Sequence, residues 1–311
     1  MSAKQLLRLA AVLVAVLLLW GAVALGSKRT EDKADLASIL PKLDTSAIDT
    51  IAITGPNDTA ILVRGRGAAG WQVNGHPTNP QAVSELLRGL ADTEQAPELV
   101  ARSTSSHARL RVSDDSGRRV RLISHGRTLG DLIAGKQTVE TDGIYLRRAG
   151  AQEVYLLRSG LATALNRSSQ EWRNHTIAGV TPDSIASIQI SRGGRSYSLR
   201  RRGAKWAFAS GAPVDSARVA ELLSSYREVK ASGFSDKAQQ DSLRSSKARR
   251  TARLLDAQGG PLLSLVFDSL ASGVWVRVSP GTTGTPTDEA YRLESWTADQ
   301  LTPADSSLRK H

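Results

Sequence analysis

The chain has 311 residues, 40% of them apolar and 23% charged, with a formal net charge of +11 and a pI near 10.2. This length suits two domains of ordinary size, and the balance of apolar and charged residues excludes extended disorder as the main state. The absence of cysteine excludes disulfides, thiolate metal sites, iron–sulfur clusters, cysteine nucleophiles and lipid attachment through a thiol.

At the N-terminus, Lys4 and Arg8 precede an uncharged run from Leu9 to Leu25, and Lys28 and Arg29 close it. The 17 residues of this run are just enough for a membrane helix, so residues 1–26 are expected to be an anchor. The competing reading is a cleaved signal peptide, because Ala22-Val23-Ala24 has the small-x-small form of a cleavage site. Basic residues flank the run on both sides and do not decide orientation. A short basic head before an apolar run is an export signal under either reading. The expectation is a single-pass inner (cytoplasmic) membrane protein with its C-terminal part outside the cytoplasm, or a periplasmic protein after cleavage. Residues 27–44, polar and charged with Pro41, read as a linker.

From residue 45 onward the chain reads as one unit written twice, over 45–179 and 180–311. Ile48, Ile51 and Ile53 match Ile185, Ile188 and Ile190 at an offset of 137, each set alternating with polar residues as half-buried strands do. "VRGRGAAGW" ending at Trp71 matches "LRRRGAKW" ending at Trp206, with Gly67 and Gly203 marking a hairpin turn. "GHPTNPQAVSELLRGL" then matches "GAPVDSARVAELLSSY", whose apolar residues fall at helical spacing behind the capping residues Asn79 and Asp215. After a polar, Ser-rich joint, "ARLRVSDDSGRRVRLI" matches "ARLLDAQGGPLLSLVF", and "GIYLRR" at Gly143 matches "GVWVRV" at Gly273. Tyr155 answers Tyr291, and Leu165, Trp172, Arg173 and His175 match Leu301, Leu308, Arg309 and His311 at an offset of 136. The second copy then ends with the last residue, which reads as a complete chain. Each copy is predicted to be α+β: an antiparallel β-meander sheet with helices on one face.

The succession of strand pair and G-x-W, P-[VT]-[DN]-x₃-V-x₂-LL, G-[IV]-[YW]-[LV]-R, [VA]-Y-x-L and a closing [WL]-R resembles the bacterial family known as domain of unknown function 4340. The resemblance covers nearly all of both copies, with Leu308 departing where the first has Trp172. It implies one N-terminal membrane span and an association with ABC-type transport systems like those linked to gliding motility. It implies no enzymatic activity, cofactor or ligand.

A search for chemistry finds no catalytic constellation. His76, His107, His125, His175 and His311 are scattered and none has metal-binding spacing. Asp114 and Asp115 precede Ser116-Gly117 in a predicted turn, where Asp is favoured for its own sake. No nucleophile elbow surrounds any serine, and "GRGAAG" and "RGGRS" lack the lysine and context of a phosphate loop. Trp71, Trp206, Tyr145 and Trp275 recur at matching places and read as core anchors before they read as a stacking surface. The positive charge suggests a surface for an anionic partner made of Arg64, Arg66, Arg109, Arg111, Arg119, Arg121, Arg200 and Arg202. Export makes nucleic acid an unexpected partner and favours an anionic glycan, lipid head groups or an acidic protein. The chain is therefore expected to be a non-enzymatic accessory or scaffold subunit of an envelope transport system, or alternatively an envelope binding module.

Overall fold

Strand alternation and turn chemistry decide most of the architecture. The computed structural model describes residues 43–67, 70–91, 97–138, 143–158, 160–246, 248–278 and 289–310. The apolar run 9–25, nearly all of the linker and His311 lie outside the described residues, among which no helix is long and apolar enough to cross a membrane. The chain forms two compact units, dividing between Arg173 and Asn174.

In the first unit, β1 (Thr50–Thr54) buries Ile51 and Ile53, and β2 (Thr59–Arg64) turns Ala60 and Leu62 inward while Ile61 and Val63 face out. β3 (Trp71–Val73) and β4 (His76–Pro77) form a hairpin on Asn74-Gly75, whose φ values of 49° and 84° give the doubly left-handed turn that matches strand twist. α1 (Pro80–Ala91) starts on Asn79, whose Oδ1 accepts the Gln81 N–H, and buries Val83, Leu86 and Leu90 at helical spacing. Then come β5 (Glu98–Ala101), the single turn α2 (His107–Leu110), β6 (Arg118–Ser124), β7 (Arg127–Thr138), β8 (Gly143–Arg148), β9 (Val154–Arg158) and α3 (Leu161–Asn166). Among the described residues the sheet is antiparallel throughout, in the order β4-β3-β2-β1-β6-β7-β8-β9-β5.

The second unit opens with β10 (Thr176–Ala178), which pairs with β14 (Val229–Lys230) away from the main sheet. This pairing puts residues 174–179 with the second unit, ahead of the 179/180 boundary read from the alignment. β11 (Ser187–Arg192) and β12 (Arg195–Arg202) turn on Gly193-Gly194, and β13 (Lys205–Phe208) follows. α4 (Ser216–Ser225) starts on Asp215, which accepts from the Ala217 and Arg218 N–H groups. β15 (Gly233–Phe234), α5 (Lys237–Arg244), β16 (Arg250–Leu255), β17 (Pro261–Leu270), β18 (Gly273–Val278), β19 (Tyr291–Leu293) and α6 (Ser295–Leu301) complete it. Its sheet runs β13-β12-β11-β16-β17-β18-β19-β15.

Each unit has its own main core between the sheet and one pair of helices, α1 with α3 and α4 with α6. Helices are not confined to that face, which corrects the expectation. On β7, Leu132 and Ala134 enter the main core while Ile133 joins Leu110, Val112 and Val154 beneath α2 on the opposite face. In the second unit Trp275 likewise turns away from the main core to meet Leu243 of α5. α5 comes from the Ser-rich joint, whereas α2 takes in residues 108–110, which the match to residues 252–254 placed in a strand. The strand beside β1 is β6, beginning only at Arg118, so that match is corrected, and each of the two helices covers part of the second face. Gly135 permits the first of these packings, since a Cβ there would lie 2.4 Å from Leu110 O and 2.5 Å from Val112 Cγ1.

The recurring aromatics divide accordingly. Trp71 and Trp206 are half-buried against the main cores, Trp275 is buried on the opposite face, and Tyr145 is half-buried there. Trp172 is fully buried and is among the largest such side chains.

Candidate functional site

The second face of each sheet is only partly covered. In the second unit the uncovered strands are β11, β12, β16 and β17. Register aligns Ser198, Gln189, Arg253 and Ser264 in one row and Ser196, Ser191, Thr251 and Val266 in the next. The intervening row, Tyr197, Ile190, Ala252 and Leu265, packs into the main core. The two outward rows line a shallow cavity of about 330 Å³. Arg200 extends the face beside Ser187, and Arg202 lies across from Lys205 at its edge. Sheet geometry makes this surface: outward side chains on adjacent strands sit about 4.5–5.5 Å apart at Cβ, so hydroxyls and amides form a continuous lattice. The side chains of Gln189, Ser191, Ser196, Ser198, Thr251, Arg253 and Ser264 form no hydrogen bond with one another or with other described residues. Their donors and acceptors are available to a ligand.

In the first unit the matching strands carry a different face. Ile61 and Val63 are 43% and 45% exposed. Arg121 lies opposite Ala52 and Asp131. Arg119 is already engaged: its Nε and Nη2 donate to Asp131 Oδ1 and Oδ2 at 2.9 and 2.6 Å, and that carboxylate raises its pKa further.

The other arginines named from the sequence lie elsewhere. Arg64 donates from Nε to Ile48 O at 2.9 Å and from Nη2 to Thr45 O at 3.3 Å, with its Cζ 4.8 Å from the centre of the Trp71 ring. It is tied to the start of its own unit and is not free for a partner. Arg66 is exposed in the β2–β3 turn, Arg109 is exposed on α2, and Arg111 follows α2 in the left-handed conformation, φ 54°.

A second feature of the second unit is a groove of about 930 Å³ between α4, α6 and the segment from Pro303 to Arg309. Leu222 and Leu308 are buried along it, and Trp296 stands 63% exposed beside them. Its frame is tied together by two phenol hydroxyls, Tyr226 donating to Leu301 O and Tyr197 to Pro303 O at 2.6 Å. Burial raises the pKa of both phenols, which keeps them neutral donors.

No three His, Asp or Glu side chains among the described residues converge to hold a metal. His107 bonds through Nε2 to Gln152 O, and His175 through Nδ1 to Ala231 O with its ring edge-on to Phe234. Asp114 does more than shape its turn: it pairs with the buried Arg147 at 2.6 Å.

Sequence reasoning missed the hydroxyl face, Arg253 and Trp296. Part of the signal was present, since Gln189 and Ser191 on β11 and Thr251 and Arg253 on β16 occupy the polar phase of strands whose other phase is apolar. On β17 the phase of Ser264 also carries Leu262 and Val266 and gives no such signal. Trp296 has no matching aromatic in the first half, where Gly160 stands at the offset of 136.

The model of one family, Domain of unknown function (DUF4340), matches residues 71–248, a stretch that begins at β3 and runs across the division between the units. No curated protein and no solved structure matches the chain.

Proposed function

The chain belongs to the family of that domain, and from this premise we propose that it is a membrane-tethered, non-catalytic binding protein of the cell envelope, anchored through residues 9–25. The proposed ligand is an anionic, hydroxyl-rich polymer such as a cell-wall glycan, and the binding site is the open face of the second sheet. The observation that carries this reading is the lattice of side chains without internal partners, from Ser196 on β12 to Ser264 on β17, with Arg253 and Arg200 among them. Hydroxyls and an amide match sugar hydroxyls, while two guanidinium groups supply attraction for carboxylates or phosphates. The test is co-sedimentation of the full chain with purified cell wall and with anionic vesicles. Binding to cell wall that weakens at high salt and in R200A/R253A, but not in R109A/R111A, supports the reading. Salt-insensitive absence of binding overturns it.

The exported part is further proposed to be a tandem duplication. The two sheets share an order of three hairpin strands, a second meander and a returning edge strand. Asn79 N–H donates to Trp172 O, and Asp215 N–H to Leu308 O, both at 2.9 Å. Thr78 bridges to Arg173, and Val214 to Arg309. All these pairs are related by the spacing of 136.

A second reading, an accessory subunit of an ABC-type transport system, is favoured by the exposed Trp296 beside a groove, a surface suited to a protein partner. Affinity purification of the tagged protein from membranes should then recover transporter subunits, and repeated recovery of the bait alone counts against it.

A further inference from the structure

The groove of the second unit is a space that the first unit fills from within. In the first unit, Arg167 follows α3 and crosses to α1, where Nη2 donates to Glu85 Oε2 at 2.5 Å and Nη1 to Ala82 O at 3.4 Å. Its Cζ lies 5.3 Å from the centre of the Trp172 ring. The hydrogen bond from Arg167 holds the Glu85 carboxyl below its ordinary range. A guanidinium between a carboxylate and an indole face thus closes the cleft between the two helices.

At the spacing of 136 the second unit keeps the frame and loses the filling. Asp215 stands for Asn79, Leu222 for Leu86 and Glu221 for Glu85, whereas Pro303 stands for Arg167 and Leu308 for Trp172. With neither a guanidinium nor an indole set between the helices, an open groove of about 930 Å³ runs along them. Glu221 meets Arg218 of its own helix at 3.2 Å, with side chains 69% and 61% exposed. Such a pair contributes little, so the carboxylate is open to a better partner. Leu308 leaves no ring in the place of Trp172, but Trp296 of α6, 63% exposed, lines the same groove and brings an aromatic face of its own.

We infer that this groove receives an arginine side chain from a partner polypeptide, its guanidinium pairing with Glu221 and lying against Trp296. Arginine fits better than lysine because one planar cation serves both a carboxylate fork and a ring face. The inference rests on the correspondence of the two units and is independent of the glycan reading.

The experiment titrates the full chain, in detergent micelles, with a capped heptapeptide bearing one central arginine among alanine and leucine. The same peptide with citrulline, isosteric and uncharged, is the control. The readout is the ¹⁵N indole resonance of Trp296, assigned by its loss in W296F. The arginine peptide should shift that resonance and bind at least about tenfold more tightly than the citrulline peptide. E221Q should reduce binding to the citrulline level, and P303R should abolish it by filling the groove internally. P303R should also raise the unfolding midpoint in the wild-type background and not in E221Q, which tests the correspondence itself. R200A/R253A should leave peptide binding unchanged, so that failure of the sheet-face reading is seen separately. Equal binding of the two peptides, undiminished binding in E221Q, no shift of Trp296, or a P303R variant that gains no stability each overturns the inference.

Discussion

Arg147 is a cation used as a backbone clamp. It projects from β8 on the face opposite the main core and is 3% exposed. Nε donates to Val112 O at 2.8 Å, Nη1 to Ala151 O at 3.1 Å, and Nη2 to Asp114 Oδ1 at 2.6 Å. Asp114 is 77% exposed at its side chain, so water replaces it readily, whereas the Val112 carbonyl is held by a buried bond. Arg147→Met should therefore cost about 2–4 kcal/mol in equilibrium denaturation, through stranded acceptors. Asp114→Asn should cost under about 1 kcal/mol. Equal losses for the two variants would show that the ion pair, and not the backbone clamp, matters. The neighbouring packing gives a matching prediction. Gly135→Ala pushes a methyl into Leu110 O, a backbone atom fixed by α2, and should destabilise by about 1–3 kcal/mol; a neutral outcome in the same assay would mean that α2 docks loosely.

At the scale of elements, the first-unit helix pair is tied by Arg167 and Glu85, and this tie has a pH signature. The folded pKa of Glu85 is depressed from an ordinary value of 4.5, chiefly by the Arg167 hydrogen bond. A depressed carboxylate contributes stability that is present above the unfolded pKa and is lost as pH falls through the folded one. Both side chains keep some solvent contact, so the effect is modest. Glu85→Gln should flatten the acid limb of the stability curve below about pH 4.5; parallel acid limbs in wild type and Glu85→Gln would refute the tie. What was legible in the sequence at this scale was whatever depends on neighbours in the chain. The caps Asn79 and Asp215, the strand phases around Ile51 and Ile188, and the positive φ of Gly67 and Gly203 are all local chemistry. The two-residue β14 and β15 are too short to carry a period, and the single-turn α2 shares the letters Ala-Arg-Leu with strand β16, so a local match of residues took a helical turn for a strand. Which face α2 and α5 cover depends on register across the joint, and only the pairing partners of Ile133 and Trp275 reveal it. The candidate face suffered for the same reason: Arg253 and Gln189 are far apart in sequence and adjacent only through β11–β16 pairing.

At the scale of the whole molecule, the two main cores share no residue. One is built around Ile51, Leu86, Leu122 and Trp172, the other around Ile188, Leu222, Leu254 and Tyr226. A core that closes within its own unit can lose its packing without exposing the apolar residues of the other, so the units should behave as separate cooperative blocks. Trp172 is the sharpest probe, being fully buried and joined to α1 through its carbonyl, which accepts the Asn79 N–H at 2.9 Å. Trp172→Ala should cost the first unit about 3–5 kcal/mol by removing buried area and leaving a cavity. Native-state hydrogen exchange on the full chain, read peptide by peptide, should then show protection falling across β1, β6 and α1 while β11, β16 and α4 keep theirs. Leu222→Ala should give the converse pattern, with a loss of about 2–5 kcal/mol confined to the second unit. A common loss of protection in both units from either substitution would mean that the chain unfolds as one block, and that each core depends on the other despite sharing none of its side chains.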